Sequence, residues 1–397
     1  MKAVSAAITG KEERAPVEEA AARAATIAHV ARDAGVSIPT VSRVINASAP
    51  VAAETRARVL ASIDRLGYHP NPMARGLSLG RSGTVLVVLP HIAEPSVAVR
   101  LGGLVKVLRR TPFDLHLVDV ERPESERPPL FQLVAQTHPA GAVIMSLPPS
   151  PDDAARFASS NVPVVVVDVA GSDFPGDAID DTEGGAMATR HLLSLGHRKI
   201  AFVGDEESST IGVPASAHRR LGYETALRAA GVAVRDDYIR RAPSDTAAAS
   251  ERAEELLAAG DPPTAIFAAY DVMAFGVLSA ARRLGLRVPE DLSVVGFDDI
   301  SAAELVRLTT VRQPLELSGV RAGLRLMELL GHPMDEAMPD FPPLELVVRG
   351  TTAPPPAGSR SQGPGTVPQT RAPGEEAEVS TTFGRAPRRG QRIPRRK

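Results

Sequence analysis

Arg43 lies in the segment TIAHVARDAGVSIPTVSRVIN, residues 26–46, whose polar side chains suit reading the edges of DNA bases, although paired helices of this kind also occur as plain packing motifs. An arginine on an exposed helical face can donate both arms of its guanidinium to O6 and N7 of a guanine in the major groove. Thr40, Ser42 and Asn46 share that face and can reach phosphates or further base edges. Two helices must hold these residues. Thr26 caps the first, whose Ile27 and Val30 face inward, and Ala31 followed by Gly35 lets the second helix pack closely at a steep angle. Ser37 stands at the N-cap of the second helix and Pro39 in its first turn, where a missing N–H costs little. Val41, Val44 and Ile45 form its buried stripe, so Ile38, Pro39, Thr40, Ser42, Arg43 and Asn46 look outward. A third helix is expected from Glu54 to Leu66, with Val59, Ile63 and Leu66 facing the core and Thr55, Arg56 and Arg58 facing phosphates. Beyond it, Asn71 is a good N-cap and Pro72 a good first helical residue. Gly76 and Gly80 each cost that short helix about 1 kcal/mol against alanine, and Leu77 on it is a candidate wedge for a minor-groove base step.

Charge sets this module apart. The chain of 397 residues has a formal net charge of -2, but residues 22–81 carry eight basic and three acidic side chains while residues 82–351 carry 25 and 37. A basic block ahead of an acidic body suggests a polyanion-binding module joined to something that does other work. The length suits two or three domains. Zero cysteines exclude disulfides, thiolate catalysis and cysteine-built zinc sites. No apolar run reaches membrane-spanning length and no signal peptide opens the chain, so a cytoplasmic location is expected.

From residue 84 onward, β-branched runs alternate with helix-period segments. The runs are TVLVVL (84–89), AVIMSL (142–147), PVVVVDV (163–169), KIAFVG (199–204), TAIFAA (264–269) and LSVVGF (292–297). Helical stretches run from Glu183 to Leu195, Ala217 to Ala230, Ala249 to Ala259 and Asp271 to Leu284. Continuous Val/Ile runs between amphipathic helices mean parallel strands covered on both faces, a doubly wound α/β body. The tail, residues 352–397, holds eight prolines and six glycines with few large apolar side chains, and is expected to be disordered, as are residues 1–25.

Taken together and in order, VARDAGVSIPTVSRVIN, Thr55-Arg56, LGYHPNPMARGL, DTEGG (181–185), HLLSLGHRKIAFVG (191–204), RRLGYETAL (219–227), YDVMAFG (270–276), LSVVGFDDI (292–300), LTTVRQP (308–314) and VVRGTTAP (347–354) resemble the LacI/GalR family of transcriptional regulators. The resemblance implies an all-α helix-turn-helix headpiece, residues 26–81, ending in a hinge helix at about 71–79. It also implies an α/β periplasmic-binding-protein-like core of two Rossmann-like subdomains, residues 82–351. The first would be about 82–180 plus 313–340, and the second 181–312 plus 341–351. It implies a homodimeric repressor on a pseudo-palindromic operator, tuned by a small effector, a sugar or related metabolite, between the subdomains, with no cofactor and no metal. By position, Arg43 matches a base-reading arginine, Ile38 and Pro39 the variable specificity positions, and Ala74 and Leu77 the minor-groove contacts.

Asp168, Arg219 and Asp298 match the family's effector contacts; Asp271 and Asp299 are read as helix caps instead. Two candidate effector positions depart from the pattern: Tyr270 replaces an asparagine, and Ser244 occupies a place that often holds a stacking aromatic. Arg307 replaces a proline, residues 205–218 are longer than usual, residues 91–110 match poorly, and Ala52 replaces the serine expected to cap the third helix. Two other readings stay open: the same regulator with a degenerate pocket that answers no ligand, and a solute-binding protein without DNA function. Paired acids such as Asp180-Asp181 or Asp298-Asp299 leave an enzyme conceivable, but no phosphate-cradling loop, HExxH or nucleophile elbow accompanies them.

Overall fold

The structure is a computed structural model that describes residues 25–46, 49–68, 83–120, 128–205 and 215–357. The expected hinge helix at 71–79, with Asn71, Ala74 and Leu77, lies outside the described residues, as do the first 24 residues and those after 357.

Three helices come first: α1 (Ile27–Ala34), α2 (Ile38–Asn46) and α3 (Ala53–Leu66). Thr26 and His29 form a reciprocal capping box at the start of α1. Gly35 ends α1 with φ 65°, a left-handed conformation that glycine adopts without Cβ strain. Val30, Ala31 and Ala34 of α1, Val41 and Val44 of α2 and Val59 of α3 make one buried cluster, with Ile45 and Ile63 packed on it. Leu66 departs from expectation and is exposed, and Tyr68 packs on the cluster in its place. Its α3 neighbour Ser62 is fully buried; its hydroxyl donates to Asp33 at 2.6 Å, and Arg65 also pairs with Asp33. A polar tie therefore joins α3 to α1 where the periodicity suggests only apolar contact. Ala52 offers no side-chain cap to α3, a loss of about 1 kcal/mol that Glu54 in the first turn offsets in part.

The body holds two sheets. The first contains β1 (Thr84–Leu89), β2 (Asp114–Asp119), β3 (Gly141–Met145), β4 (Val164–Val167) and β5 (Gly176–Asp177), ordered β2-β1-β3-β4-β5 and parallel throughout. The second contains β6 (Ile200–Gly204), β7 (Ile239–Arg241), β8 (Ala265–Ala268), β9 (Ser293–Asp298), β10 (Thr309–Arg312) and β11 (Glu345–Val347). Its order is β11-β10-β9-β8-β6-β7, with only β11 antiparallel. The two sheets repeat one winding, so each reverses its strand order beside its first strand. Ligands of such sheets bind at the carboxyl ends of the strands beside that reversal.

Helices α4 (Pro95–Leu108), α5 (Leu130–Thr137) and α6 (Pro151–Ser159) are connections in the first sheet. α7 (Asp181–Ser194), α8 (Ala215–Ala229), α9 (Thr246–Leu257), α10 (Asp271–Arg283) and α11 (Ser301–Leu305) lie in the second part of the chain. From β10 the chain passes through Gln313 and Pro314 into α12 (Leu315–Leu329), which packs on α4. The body extends past residue 351, where the sequence reading ends it. Thr352 bonds to His191, and the Ala353 carbonyl accepts from Ser293, both within 3.0 Å.

Candidate functional site

On α2, one face is spent on packing and the other is open. Val41 and Val44 are buried, Ile38 is 48% exposed, Pro39, Ser37 and Arg43 are exposed, and Thr40 and Ser42 are half-buried. Ser37 and Thr40 pair through their hydroxyls at 2.9 Å, so the Ser37 side chain engages a neighbour rather than a helix amide. Its carbonyl still accepts from the Thr40 and Val41 amides, as an N-cap residue's does. Thr55 is half-buried and Arg56 exposed at the start of α3; Thr26 is exposed at the start of α1, and the Asn46 side chain lies outside what is described. The result is an outward surface of one arginine and two apolar residues on a helix that its neighbours hold rigidly.

The second cluster forms at the strand ends. Ser146 follows β3, Asp168 follows β4, Asp205 follows β6, Ala269 and Tyr270 follow β8, and Asp298 ends β9. Arg100 on α4 donates through Nη2 to Asp168 at 2.7 Å and to the Gln313 Oε1 at 2.7 Å. Ser146 also donates to Asp168, at 3.3 Å. The Gln313 Nε2 then donates to Asp298, whose carboxylate lies 3.6 Å from Arg219 Nη1. Arg219 Nε donates to Asp181 at 2.8 Å and its Nη1 to the Ala269 carbonyl at 2.7 Å. One relay thus runs from the first sheet to the second through a side chain on the connection between them.

Both arginines are buried, Arg100 at 4% exposure and Arg219 at 1%. The Arg219 guanidinium also lies 3.6 Å from the centre of the Phe297 ring and 4.9 Å from that of Tyr270. A buried ion pair is stable only while complete, since removal of one partner costs about 3–5 kcal/mol. Glycine places each arginine. A Cβ on Gly319 of α12 would meet the Arg100 carbonyl oxygen at 1.8 Å, and one on Gly185 of α7 would meet that of Arg219 at 2.1 Å. No other residue permits so close an approach of helices.

Carboxylates outnumber the cations here. Glu94, at the N-cap of α4, is pushed up to about 7 by burial, then by Asp298 and Asp205, with Arg219 opposing. Burial raises Asp205 to about 6 against the opposing effects of a hydrogen bond from Tyr270, of Arg219 and of His91. Burial also raises Asp298 to about 6, with Arg219, Arg100 and Gln313 opposing, and raises Asp181. The Tyr270 hydroxyl donates to Asp205 at 2.9 Å, and burial pushes its own pKa well up. The Glu94 Oε1, Arg100 Nε, Asp205 Oδ1 and Ser244 Oγ atoms are buried with no hydrogen-bond partner among the described residues.

Of the five effector candidates, Asp168, Arg219 and Asp298 enter the relay, Tyr270 joins it through the Arg219 face, and Ser244 stands apart with its unpartnered hydroxyl. Two capping assignments are corrected. Asp271 is fully buried, accepts from the Thr310 hydroxyl at 2.6 Å and the Ile300 amide at 2.9 Å, and leaves Tyr270 at the N-cap of α10; burial raises it to about 8. Asp299 pairs with Arg312 and Arg349, each at 2.7 Å, instead of capping α11. Sequence reading missed Glu94, Arg100, Asp205 and Gln313. Asp205, like Asp168, stands directly after a fully buried strand. Arg100 and Glu94 lie in the stretch that matched the family pattern poorly.

Residues 26–71 match the family described as bacterial regulatory proteins, lacI family, and residues 189–352 match a periplasmic binding protein-like domain. Catabolite control protein A of Priestia megaterium is 35% identical over 295 residues, covering 73% of this chain and 88% of that protein. The HTH-type transcriptional repressor PurR of Pectobacterium carotovorum subsp. carotovorum is 33% identical over 320 residues, covering 79% and 92%. Among solved structures, the lac repressor dimer bound to operator and an anti-inducer aligns with TM-score 0.67 and 28% identity, covering 83% of this chain and 99% of that one. A complex of the regulator CelR with cellobiose aligns with TM-score 0.56 and 32% identity, covering 82% and 99%.

The raised Glu94 has a stability consequence of definite sign. Between its ordinary value of 4.5 and about 7 the folded chain holds the proton and the unfolded chain does not. Its contribution is therefore full below pH 4.5 and is lost as pH rises through 7. Glu94→Gln should melt above wild type by several degrees at pH 8, with the difference shrinking towards zero at pH 5, in calorimetric scans across that range. A difference that is flat with pH, or of opposite sign, would contradict the burial argument.

Proposed function

Because the chain belongs to the LacI family of bacterial regulatory proteins, we propose that it is a transcriptional repressor. In this reading it binds a pseudo-palindromic operator as a homodimer and changes its DNA affinity when a small effector, a sugar or related metabolite, occupies the cleft. The observation that carries the reading is the division of α2 into a buried Val41/Val44 face and an open Ile38/Pro39/Arg43 face. Arg43 reads a guanine, while Ile38 and Pro39 offer no donor and read thymine methyl groups by apolar contact. Thr40, Ser42, Asn46, Thr55 and Arg56 contact backbone or base edges, with Thr26 and Ser37 beside them. Asn71, Ala74 and Leu77 serve the minor groove. Residues 26–81 form the headpiece in this division, and each sheet with its helices forms one subdomain. Among the described residues no helix is long and apolar enough to cross a membrane, and the proposed work on DNA places the protein in the cytoplasm.

A two-fold operator requires two copies, and one apolar patch suits their contact. Leu305 is 85% exposed, Val306 46% and Val348 57%. The Gly350 amide donates to the Arg307 carbonyl at 2.8 Å, which brings the two segments side by side.

Arg43→Ala should lose about 10- to 100-fold of its preference for the selected operator over scrambled DNA while keeping weak, salt-sensitive binding, in a competition gel-shift assay. Unchanged preference would remove Arg43 from base reading. Leu305→Glu should sediment as a monomer at micromolar concentration and bind the operator more weakly. A dimer that sediments like wild type would move the contact elsewhere on the surface.

A further inference from the structure

Arg100 is 4% exposed, yet its guanidinium is only partly satisfied. Its hydrogen bonds to Asp168 and to Gln313 both leave from Nη2, at 2.7 Å each, and its Nε is buried with no hydrogen-bond partner among the described residues. A buried donor costs free energy until an acceptor reaches it. A lysine ammonium makes two hydrogen bonds from one nitrogen as well, so Nε is what an arginine adds at this position. On the other side of the pair, Arg100 and Ser146 both donate to Oδ2 of Asp168, which leaves its Oδ1 to a further donor. Ser146 and Asp168 hold φ at 51° and 60°, values that residues with a side chain keep only where their surroundings impose them, so the carboxylate is held in place. A small pocket of about 10 Å³ adjoins these groups, lined by Arg100, Asp168 and Gln313 with Ala178, Pro314 and Ser318.

We infer that Arg100 is a specificity-determining contact of the effector, and that the group it reads is a neutral hydroxyl, which accepts from Arg100 Nε and donates to Asp168 Oδ1. This rests on the reading of the cleft as the effector site. A hydroxyl is donor and acceptor at one oxygen and serves both atoms, whereas an amide does so only with two atoms. An ionised carboxylate or phosphate only accepts, and it would add charge where the relay already sets Asp168, Asp181 and Asp298 against two arginines. An ammonium only donates and leaves Nε unmatched. Size agrees, since a volume of about 10 Å³ takes one oxygen, on the scale of a water molecule, and neither of the branched anions. The chemical class is therefore a neutral polyol, an unmodified sugar, that turns one of its hydroxyls towards the first sheet.

The place of this contact in the fold matters for control. Gln313, the second acceptor of Arg100, lies on the connection from β10 to α12, and Ala178 lies on the connection from β5 to α7. A hydroxyl seated on Arg100 Nε is thus bound beside two passages of the chain between the sheets, where its occupancy favours one arrangement of them over another.

The test is isothermal titration of the full-length protein with glucose, galactose, ribose and xylose, with their monodeoxy analogues, and with glucosamine, glucuronate and glucose 6-phosphate as charged counterparts. The variant is Arg100→Lys, which keeps a cation for Asp168 and Gln313 and removes the Nε donor; thermal melts check that it folds. The expected result is a neutral sugar that Arg100→Lys binds about tenfold more weakly than wild type does. One monodeoxy analogue of that sugar should lose the same factor in wild type and nothing further in Arg100→Lys, because the hydroxyl and Nε are two ends of one hydrogen bond. If Arg100→Lys does not fold, a crystal structure of the wild-type protein with the tightest-binding sugar decides instead. A hydroxyl within hydrogen-bond distance of both Arg100 Nε and Asp168 Oδ1 supports the inference, and water alone at Nε overturns it. Neutral sugars that Arg100→Lys binds as wild type does, or an acid or phosphate that binds most tightly and loses its advantage in Arg100→Lys, overturn the inference and leave the effector cleft standing. If no compound binds or raises the melting temperature at concentrations up to about 10 mM, both this inference and the cleft reading fall.

Discussion

Gln313 accepts from Arg100 with its amide oxygen and donates to Asp298 with its amide nitrogen. Only a side chain that is both donor and acceptor can stand there. Glutamate would offer Asp298 a second negative charge, and an apolar residue would leave two charged groups unmatched in a dry interior. The residue lies on the chain's passage from β10 to α12, so the polar continuity of the cleft depends on a point where the backbone itself changes sheets. Arg100 and Arg219 stand at the two ends of this relay, each fixed by a helix that approaches within glycine distance of its own carbonyl. Packing of α4 on α12 and of α7 on α8 therefore fixes where the charges of the cleft can be.

That arrangement is balanced but not neutral. The relay matches Asp168, Asp181 and Asp298 against two arginines and leaves Glu94 and Asp205 to be held by burial against their own ionisation. Asp177, Ile179, Pro314 and Phe341 line a small pocket of about 10 Å³ beside Arg100 and Asp168. The headpiece is built on the opposite principle, with a small apolar cluster and one buried serine tying α3 to α1, so that α2 presents a fixed face.

Much of this was legible in the sequence. Runs such as VVVV at 164–167 can only be strands buried on both faces, and the glycine turn at Gly35 announces the angle between α1 and α2. Asp168 and Asp298 were legible because they match the family's effector contacts at the ends of buried strands. Glu94, Arg100 and Gln313 were not, because they are far apart in sequence and nothing local distinguishes a cleft arginine from a surface one. Leu66 shares a face with Val59 and Ser62 by helical period, but it is the last residue of α3, and Tyr68 beyond the helix end packs on the cluster while Leu66 stays exposed. Asp271 was read as a cap because it begins a helix, whereas its partners Thr310 and Ile300 come from segments the sequence does not bring near it.

Protonation of Glu94 and Asp205 near neutral pH would remove negative charge from the strand ends of both sheets. Because the chain has no cysteine, spin labels can be attached at Ser159→Cys and Ala230→Cys, exposed positions on either side, and their distance measured by pulsed electron resonance without any ligand. The distance should shorten as pH falls from 8 to 5, and the change should be much reduced in a Glu94→Gln background. A distance indifferent to pH, or one that shortens equally with Glu94→Gln, would contradict this expectation.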